Sequence, residues 1–257
     1  MGGVARRATV IKAARASAEH FLLLDAGNSL LGNDVDNLRE PAGRTHGQTS
    51  VEILNRLGYD VVALGESDLR LGRETLLKRL AEAPRVSFVS ANVVDKGTGK
   101  LVARPYVIRQ IGGHRIALIG ITGSILGQNQ EFNITPPLDA VREAVRQVGS
   151  QAGIIILLSN AGAQANRHLA SQVPELDLII SGGYDALSQP VREGQSALIA
   201  QADLSSAGHA GRVVGKLQVG FDRSGALTQH TWGSIELGPD IADDPDLAAW
   251  VASLSNP

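Results

Sequence analysis

Short apolar runs alternate with amphipathic stretches through most of the chain. Phe21-Leu22-Leu23-Leu24 reads as a strand, followed by a helix from about Ser50 to Leu57 in which Val51, Ile53, Leu54 and Leu57 are apolar. Val61–Leu64 reads as the next strand, Glu74–Ala83 as a helix and Val86–Val89 as a strand again. Tyr106–Ile111 and Arg115–Ile121 flank Gly112-Gly113-His114, the turn of a β-hairpin. A helix at Leu138–Val148, a strand at Ile154–Leu158, a helix at Ala165–Gln172 and a strand at Leu176–Ile180 continue the alternation. Upstream, Ala5–Ala16 reads as a helix with Val10, Ile11 and Ala14 on one side and Arg6, Lys12 and Arg15 spread over the others. The last third changes character. Ala197–Ala202, Val213–Phe221 and Ala226–Glu236 read as antiparallel strands, the last two joined by Asp222-Arg223-Ser224-Gly225, before a short helix around Leu247–Leu254.

Continuous apolar strands between helices imply sheet covered on both faces, and the hairpins add antiparallel pairing. The expected fold is a layered α/β/α sandwich with mixed sheets. No interior linker or repeat divides it, so residues 1–238 are expected to form one domain and 239–257 a tail carrying the short helix.

Composition narrows the function classes. The chain has 257 residues, with 24 Lys and Arg against 26 Asp and Glu, so no basic surplus exists for nucleic acid or anionic lipid. It has no cysteine, which excludes disulfides, thiolate metal sites and cysteine nucleophiles. No apolar run approaches the roughly 20 residues of a membrane-spanning helix. Arg6-Arg7 has the form of a twin-arginine signal, but no apolar core follows it.

Function in open α/β sheets gathers beyond the carboxyl ends of strands. Those positions here are small and polar: Asp25-Ala26-Gly27-Asn28-Ser29, Gly65-Glu66-Ser67-Asp68, Ser90-Ala91-Asn92, Ser159-Asn160-Ala161-Gly162 and Ser181-Gly182-Gly183-Tyr184-Asp185. They would line one cleft.

The ordered segments Gly2-Gly3-Val4-Ala5-Arg6-Arg7-Ala8, Leu22 to Asn28, Leu54 to Gly65, Ser90 to Val93 and Asp177 to Gly183 resemble the N-terminal catalytic domain of the 5'-nucleotidase family of calcineurin-like metallophosphoesterases. The similarity runs in order to about Phe221. It implies a metallophosphoesterase fold with a two-metal phosphoesterase site and an extracytoplasmic location. In that family an Asp-x-His pair, a Gly-Asp, a Gly-Asn-His, a later strand-end His and a Gly-His-x-His hold the metals and assist catalysis. The resemblance places the strand bearing Asp-x-His before Met1. The Gly-Asp position reads Gly27-Asn28, and Gly-Asn-His reads Gly65-Glu66-Ser67. The later His reads Asn160, and Gly-His-x-His reads Gly183-Tyr184-Asp185-Ala186. None of the histidines at 20, 46, 114, 168, 209 and 230 falls on a ligand position of the family.

Two dications about 4 Å apart repel by roughly 17 kcal/mol at an effective dielectric of ~20, which the ligand carboxylates must offset. Asn28 is neutral and cannot contribute. The expectation is a catalytically degenerate domain without a dinuclear centre, acting in binding or scaffolding, with a remnant cleft of Asn28, Glu66, Ser67, Asp68, Asn160, Tyr184 and Asp185. The alternative is a phosphoesterase with a rebuilt or N-terminally completed site. A single divalent cation at Glu66, Asp68 and Asp185 is the metal version of that alternative. Against it stands the reading of Glu66 and Asp68 as caps of the next turn and Asp185 as a solvated loop residue. Asp25 is expected to bind local backbone. Ser67 lacks a His partner for nucleophilic chemistry. Arg70, with Arg6 and Arg7, offers charge for a small anion. A sheet without its first strand leaves an open edge, so a preceding segment or a partner chain is expected to complete it.

Overall fold

The computed structural model describes residues 3–31, 41–123, 129–185, 187–203 and 211–254. Gly2, Ala186, His209 and residues 255–257 of the expected tail lie outside the described residues.

Two sheets form the middle of the molecule. The first is wholly parallel, with β1 (Leu24–Asp25), β2 (Val61–Ala63) and β3 (Ser87–Val89) side by side in that order. The second contains β5 (Tyr106–Ile111), β6 (His114–Ile121), β8 (Ile154–Ser159), β9 (Leu178–Ser181) and β10 (Leu198–Gln201), in the order β10-β9-β8-β6-β5. Only β5 and β6, the expected hairpin, run antiparallel within it. The pleat sorts their side chains. From β6, Ile116 and Leu118 join Ile154, Ile156 and Leu158 of β8 and Val61, Ala63 and Val89 of the first sheet in a core between the sheets. The alternate residues Ala117, Ile119, Ile121, Ile155 and Leu157 face the other way, onto α5 (Pro137–Val148) and α6 (Ala163–Gln172). The layered α/β sandwich therefore has two sheet layers rather than one.

The outer face of the first sheet is covered by α1 (Val4–Ala16), α3 (Gln48–Leu57), α4 (Arg73–Ala81) and α7 (Pro245–Leu254); a short α2 (Pro41–Arg44) precedes α3. Helix α3 buries Thr49, Val51, Leu54 and Leu57 and stops at Gly58, whose left-handed φ of 69° lets the amides of Gly58 and Tyr59 return to the carbonyls of Asn55 and Leu54. Helix α1 buries Ala5, Ala8 and Ile11, so its inner face lies toward the small residues rather than Val10 and Ala14. These alanines permit close approach of the C-terminal segment. The Asp244 amide donates to the Ala5 carbonyl at 3.1 Å, Lys12 Nζ meets Asp244 at 2.5 Å, Leu247 is buried in the core, and Arg56 stacks on Trp250 at 4.8 Å. Among the described residues, no helix is long and apolar enough to cross a membrane.

Strand β10 was expected to be antiparallel, yet it pairs parallel with β9 over Leu198–Gln201. All four of its residues are buried, the mark of a strand covered on both faces, and residues 182–197 carry the chain back without a crossover helix among the described residues. A pair absent from the sequence reading, β4 (Val93–Asp95) with β7 (Phe132–Ile134), forms where Asp95 organises the local turn: it accepts the Gly97 and Thr98 amides and Arg73 Nε. The expected hairpin of β11 (Val213–Phe221) and β12 (Leu227–Glu236) is present, and Leu217, Phe221 and Leu227 pack against the inter-sheet core. Strand β1 is the edge of its sheet, with no strand on its outer side among the described residues.

Candidate functional site

The loops after β1, β2, β8 and β9 meet at the carboxyl ends of the parallel strands. Glycine makes the meeting close. A methyl group on Gly65 would lie 2.2 Å from both the amide nitrogen and Oδ1 of Asn28, and one on Gly27 would lie 3.0 Å from the Gly65 backbone and 3.2 Å from Asn160 Cβ. Gly183, at φ 120°, similarly abuts the Gly162 backbone.

The polar residues brought together are hydrogen-bonded mainly to backbone. Asn28 is buried in the left-handed region (φ 64°), a conformation asparagine tolerates, and its Oδ1 accepts the Ser67 amide at 2.9 Å. Asn160 Oδ1 accepts the Glu66 amide at 3.3 Å. Asp68 has no exposed surface. It accepts the amides of Gly65 at 2.8 Å, Leu30 at 2.9 Å and Asn28 at 3.1 Å, tying the β1 loop to the β2 loop. It lies near the start of a 3-10 turn, Ser67–Leu71, but reaches outside that turn and is not a simple cap. Asp185 is exposed, yet its two oxygens accept the amides of Ala163 at 2.7 Å and Gln164 at 2.8 Å at the start of α6. It is an exposed loop residue that also caps a helix from another segment. Tyr184 is 62% exposed and stands close enough to Glu66 and Arg70 to feel both charges. Asp25 binds local backbone as expected, accepting the Gly27 amide at 2.8 Å.

A polar layer supports these loops; sequence reading named its Asn92 among the strand ends but did not single out Thr122 or Gln201. Thr122 Oγ1 donates to the Leu64 carbonyl at 2.7 Å, while Asn92 Nδ2 donates to the Thr122 carbonyl and its Oδ1 accepts the Thr122 amide. Gln201 Nε2 donates to the carbonyls of Asp185 and Asp203. The available signal was a polar residue directly after an apolar run, which marks a strand end but not its partner.

Burial pushes the Asp68 carboxyl up to about 6, against its backbone hydrogen bonds, and the charge of nearby Asp25 adds to the rise. Burial also raises Asp25, opposed by the Gly27 amide and by Arg7. The folded state then holds the Asp68 proton more tightly than the unfolded chain does. Stability is expected to be highest below about pH 4 as far as this group is concerned, and to fall as pH rises through 6, by roughly 3 kcal/mol in all. Urea unfolding of the wild type and of Asp68→Ala across that range isolates the contribution, because the variant loses this part of the slope.

No family model matches the chain. It is 29% identical to a snake venom 5'-nucleotidase of Crotalus adamanteus over 98% of this chain and 46% of that protein. The crystal structure of a 5'-nucleotidase precursor from Thermus thermophilus superposes with a TM-score of 0.84 and 26% identity, covering 100% of this chain and 53% of that one. The fold is that of the 5'-nucleotidase phosphoesterase domain. The calcineurin-like phosphoesterase YfkN from Bacillus subtilis shares this metallophosphoesterase fold at a TM-score of 0.75 and 16% identity, over 99% of this chain and 88% of that one. The chain spans about half the length of the curated relatives it matches.

This metallophosphoesterase fold gathers the strand ends that the resemblance assigns to metal ligands, and the donor set found there does not fit a pair of dications. Oxygens of Asn28, Asp68, Asn160 and Asp185 already accept backbone amides. Asn160 Nδ2, buried beside them, is a hydrogen-bond donor and no metal ligand. Among the described residues no three His, Asp or Glu side chains come together as a metal site, and Glu66, Asp68 and Asp185 do not converge.

Proposed function

We propose that this chain is a metallophosphoesterase-fold domain that acts by binding, as a recognition or scaffolding module, and does not hydrolyse phosphate esters through a dinuclear metal centre. The observation that carries this reading is the occupation of Asn28 Oδ1 and Asn160 Oδ1 by the amides of Ser67 and Glu66. Each of these neutral oxygens has one of its two lone pairs committed and brings no charge, and among the described residues no cluster of His, Asp or Glu joins them to complete a zinc or manganese site. The outer edge of β1, open among the described residues, supports a partner: an extended segment, from a preceding stretch of chain or a neighbouring chain, completes the sheet. Arg70 and Arg7 near the strand-end loops favour a small anion as a second ligand, and the venom relative favours an extracytoplasmic location.

A second reading is a metal-dependent nucleotidase with a rebuilt site, favoured by the names of the relatives. Assay of metal-stripped protein with a nucleoside 5'-monophosphate and a nitrophenyl phosphodiester, with and without Mn²⁺ or Zn²⁺, separates the two. The expected result is turnover no higher than in the protein-free blank under every condition. Metal-dependent turnover that disappears in Glu66→Gln would establish the second reading instead.

A further inference from the structure

Where metals bind between strand ends they also crosslink the loops that supply their ligands. In this chain hydrogen bonds make the crosslinks. Asn28 reaches across 39 residues to the Ser67 amide, and Asn160 across 94 residues to the Glu66 amide. Asp68 joins the amides of Gly65, Leu30 and Asn28. We infer that Asn28, Asp68 and Asn160 form a metal-independent lock that holds the β1, β2 and β8 loops together and turns the site away from divalent cations. Asn28 and Asn160 are its positioning residues. The inference rests on the reading of the domain as a non-hydrolytic binder and adds what holds its site in shape.

Two physical points carry it. A cation drawing on Asp68 would have to reach a carboxylate that already accepts three amides at a position with no exposed surface, and displacing any of them would leave a buried donor unpaired. One of the two groups left over has the wrong polarity. Asn160 Nδ2 and Ser67 Oγ are buried with no hydrogen-bond partner, in residues only 7% and 6% exposed, and the first of these presents only N–H protons. A site built to receive a cation would present an oxygen where Asn160 Nδ2 stands.

The test uses metal-stripped full chain. Residue-resolved hydrogen exchange is measured at the Ser67 and Glu66 amides in wild type, Asn28→Gly and Asn160→Ala. Glycine at 28 keeps the left-handed backbone free of strain, so the change removes the side chain and its hydrogen bonds without adding backbone strain. Expected are protected Ser67 and Glu66 amides in metal-free wild type. Exchange should speed up at least ~10-fold at Ser67 in Asn28→Gly and at Glu66 in Asn160→Ala, with the Gly153 amide, bound to the Arg115 carbonyl, unchanged. Asn28→Asp, which retains an acceptor, should restore Ser67 protection. If Asn160→Ala does not fold, Asn160→Ser is read in its place. In parallel, millimolar Mn²⁺ or Zn²⁺ should move the wild-type Tm by no more than about 1 °C. A saturable rise in Tm with metal, or unaltered Ser67 protection in Asn28→Gly, overturns the lock. Metal binding without hydrolysis would sink this inference alone, whereas metal-dependent hydrolysis would sink the proposed function.

Discussion

Replacing Asp68 with alanine is expected to cost about 3 kcal/mol at pH 7, and about 1 kcal/mol more at pH 5, where the wild-type carboxyl is largely protonated. The side chain has no exposed surface and accepts three backbone amides from two loops. Hydrogen bonds to a charged acceptor contribute about 1.5–3 kcal/mol each, so their loss outweighs the relief of removing a buried charge. That relief, roughly 3 kcal/mol above pH 6, shrinks as the proton returns. The cost of the substitution therefore grows on acidification, opposite to the behaviour of a salt-bridged surface aspartate. Urea denaturation at the two pH values measures it. A cost below about 1 kcal/mol at both would mean that the three amides find water or other partners and that Asp68 does not hold the loops.

Gly65→Ala is the second large effect, about 3 kcal/mol. The added methyl would lie 2.2 Å from the Asn28 amide nitrogen and from Asn28 Oδ1, one of them backbone and the other on a short side chain already bonded to Ser67. Neither can swing aside. The β1 and β2 loops must separate, which strains the Asn28–Ser67 bond and the Gly65–Asp68 bond together. Gly153→Ala is the control, because nothing lies within 4 Å of a methyl there, and its expected change is within ~0.5 kcal/mol. Comparable Tm losses in the two variants would show that alanine is tolerated no worse at the loop contact than in open space, and that the close approach is not essential.

The order of strands and helices was legible because it is written locally. An apolar run of four to six residues, or apolar positions spaced along a helix, needs no knowledge of distant chain, and the elements at Val61–Ala63, Gln48–Leu57, Tyr106–Ile111 and Ile154–Ser159 follow their patterns closely. The strand-end loops were legible for the same reason, and Asn28, Glu66, Ser67, Asp68 and Asn160 do meet. What they do on meeting was not legible. Asp68 finds Leu30 at a separation of 38 residues, and Asp185 caps a helix through an amide 22 residues earlier in the chain. A carboxylate has the same local signature whether it faces water, a metal or three amides, so only the packing of loops decides which. Parallel pairing of β10 and the burial of Leu247 in the core that α1 shares are likewise contacts between remote segments. Which faces are apolar and where the chain turns follow from the order of residues alone. Each polar group's partner was assigned by folding, because hydrogen-bond satisfaction belongs to two groups at once and only the packed chain brings them within about 3 Å.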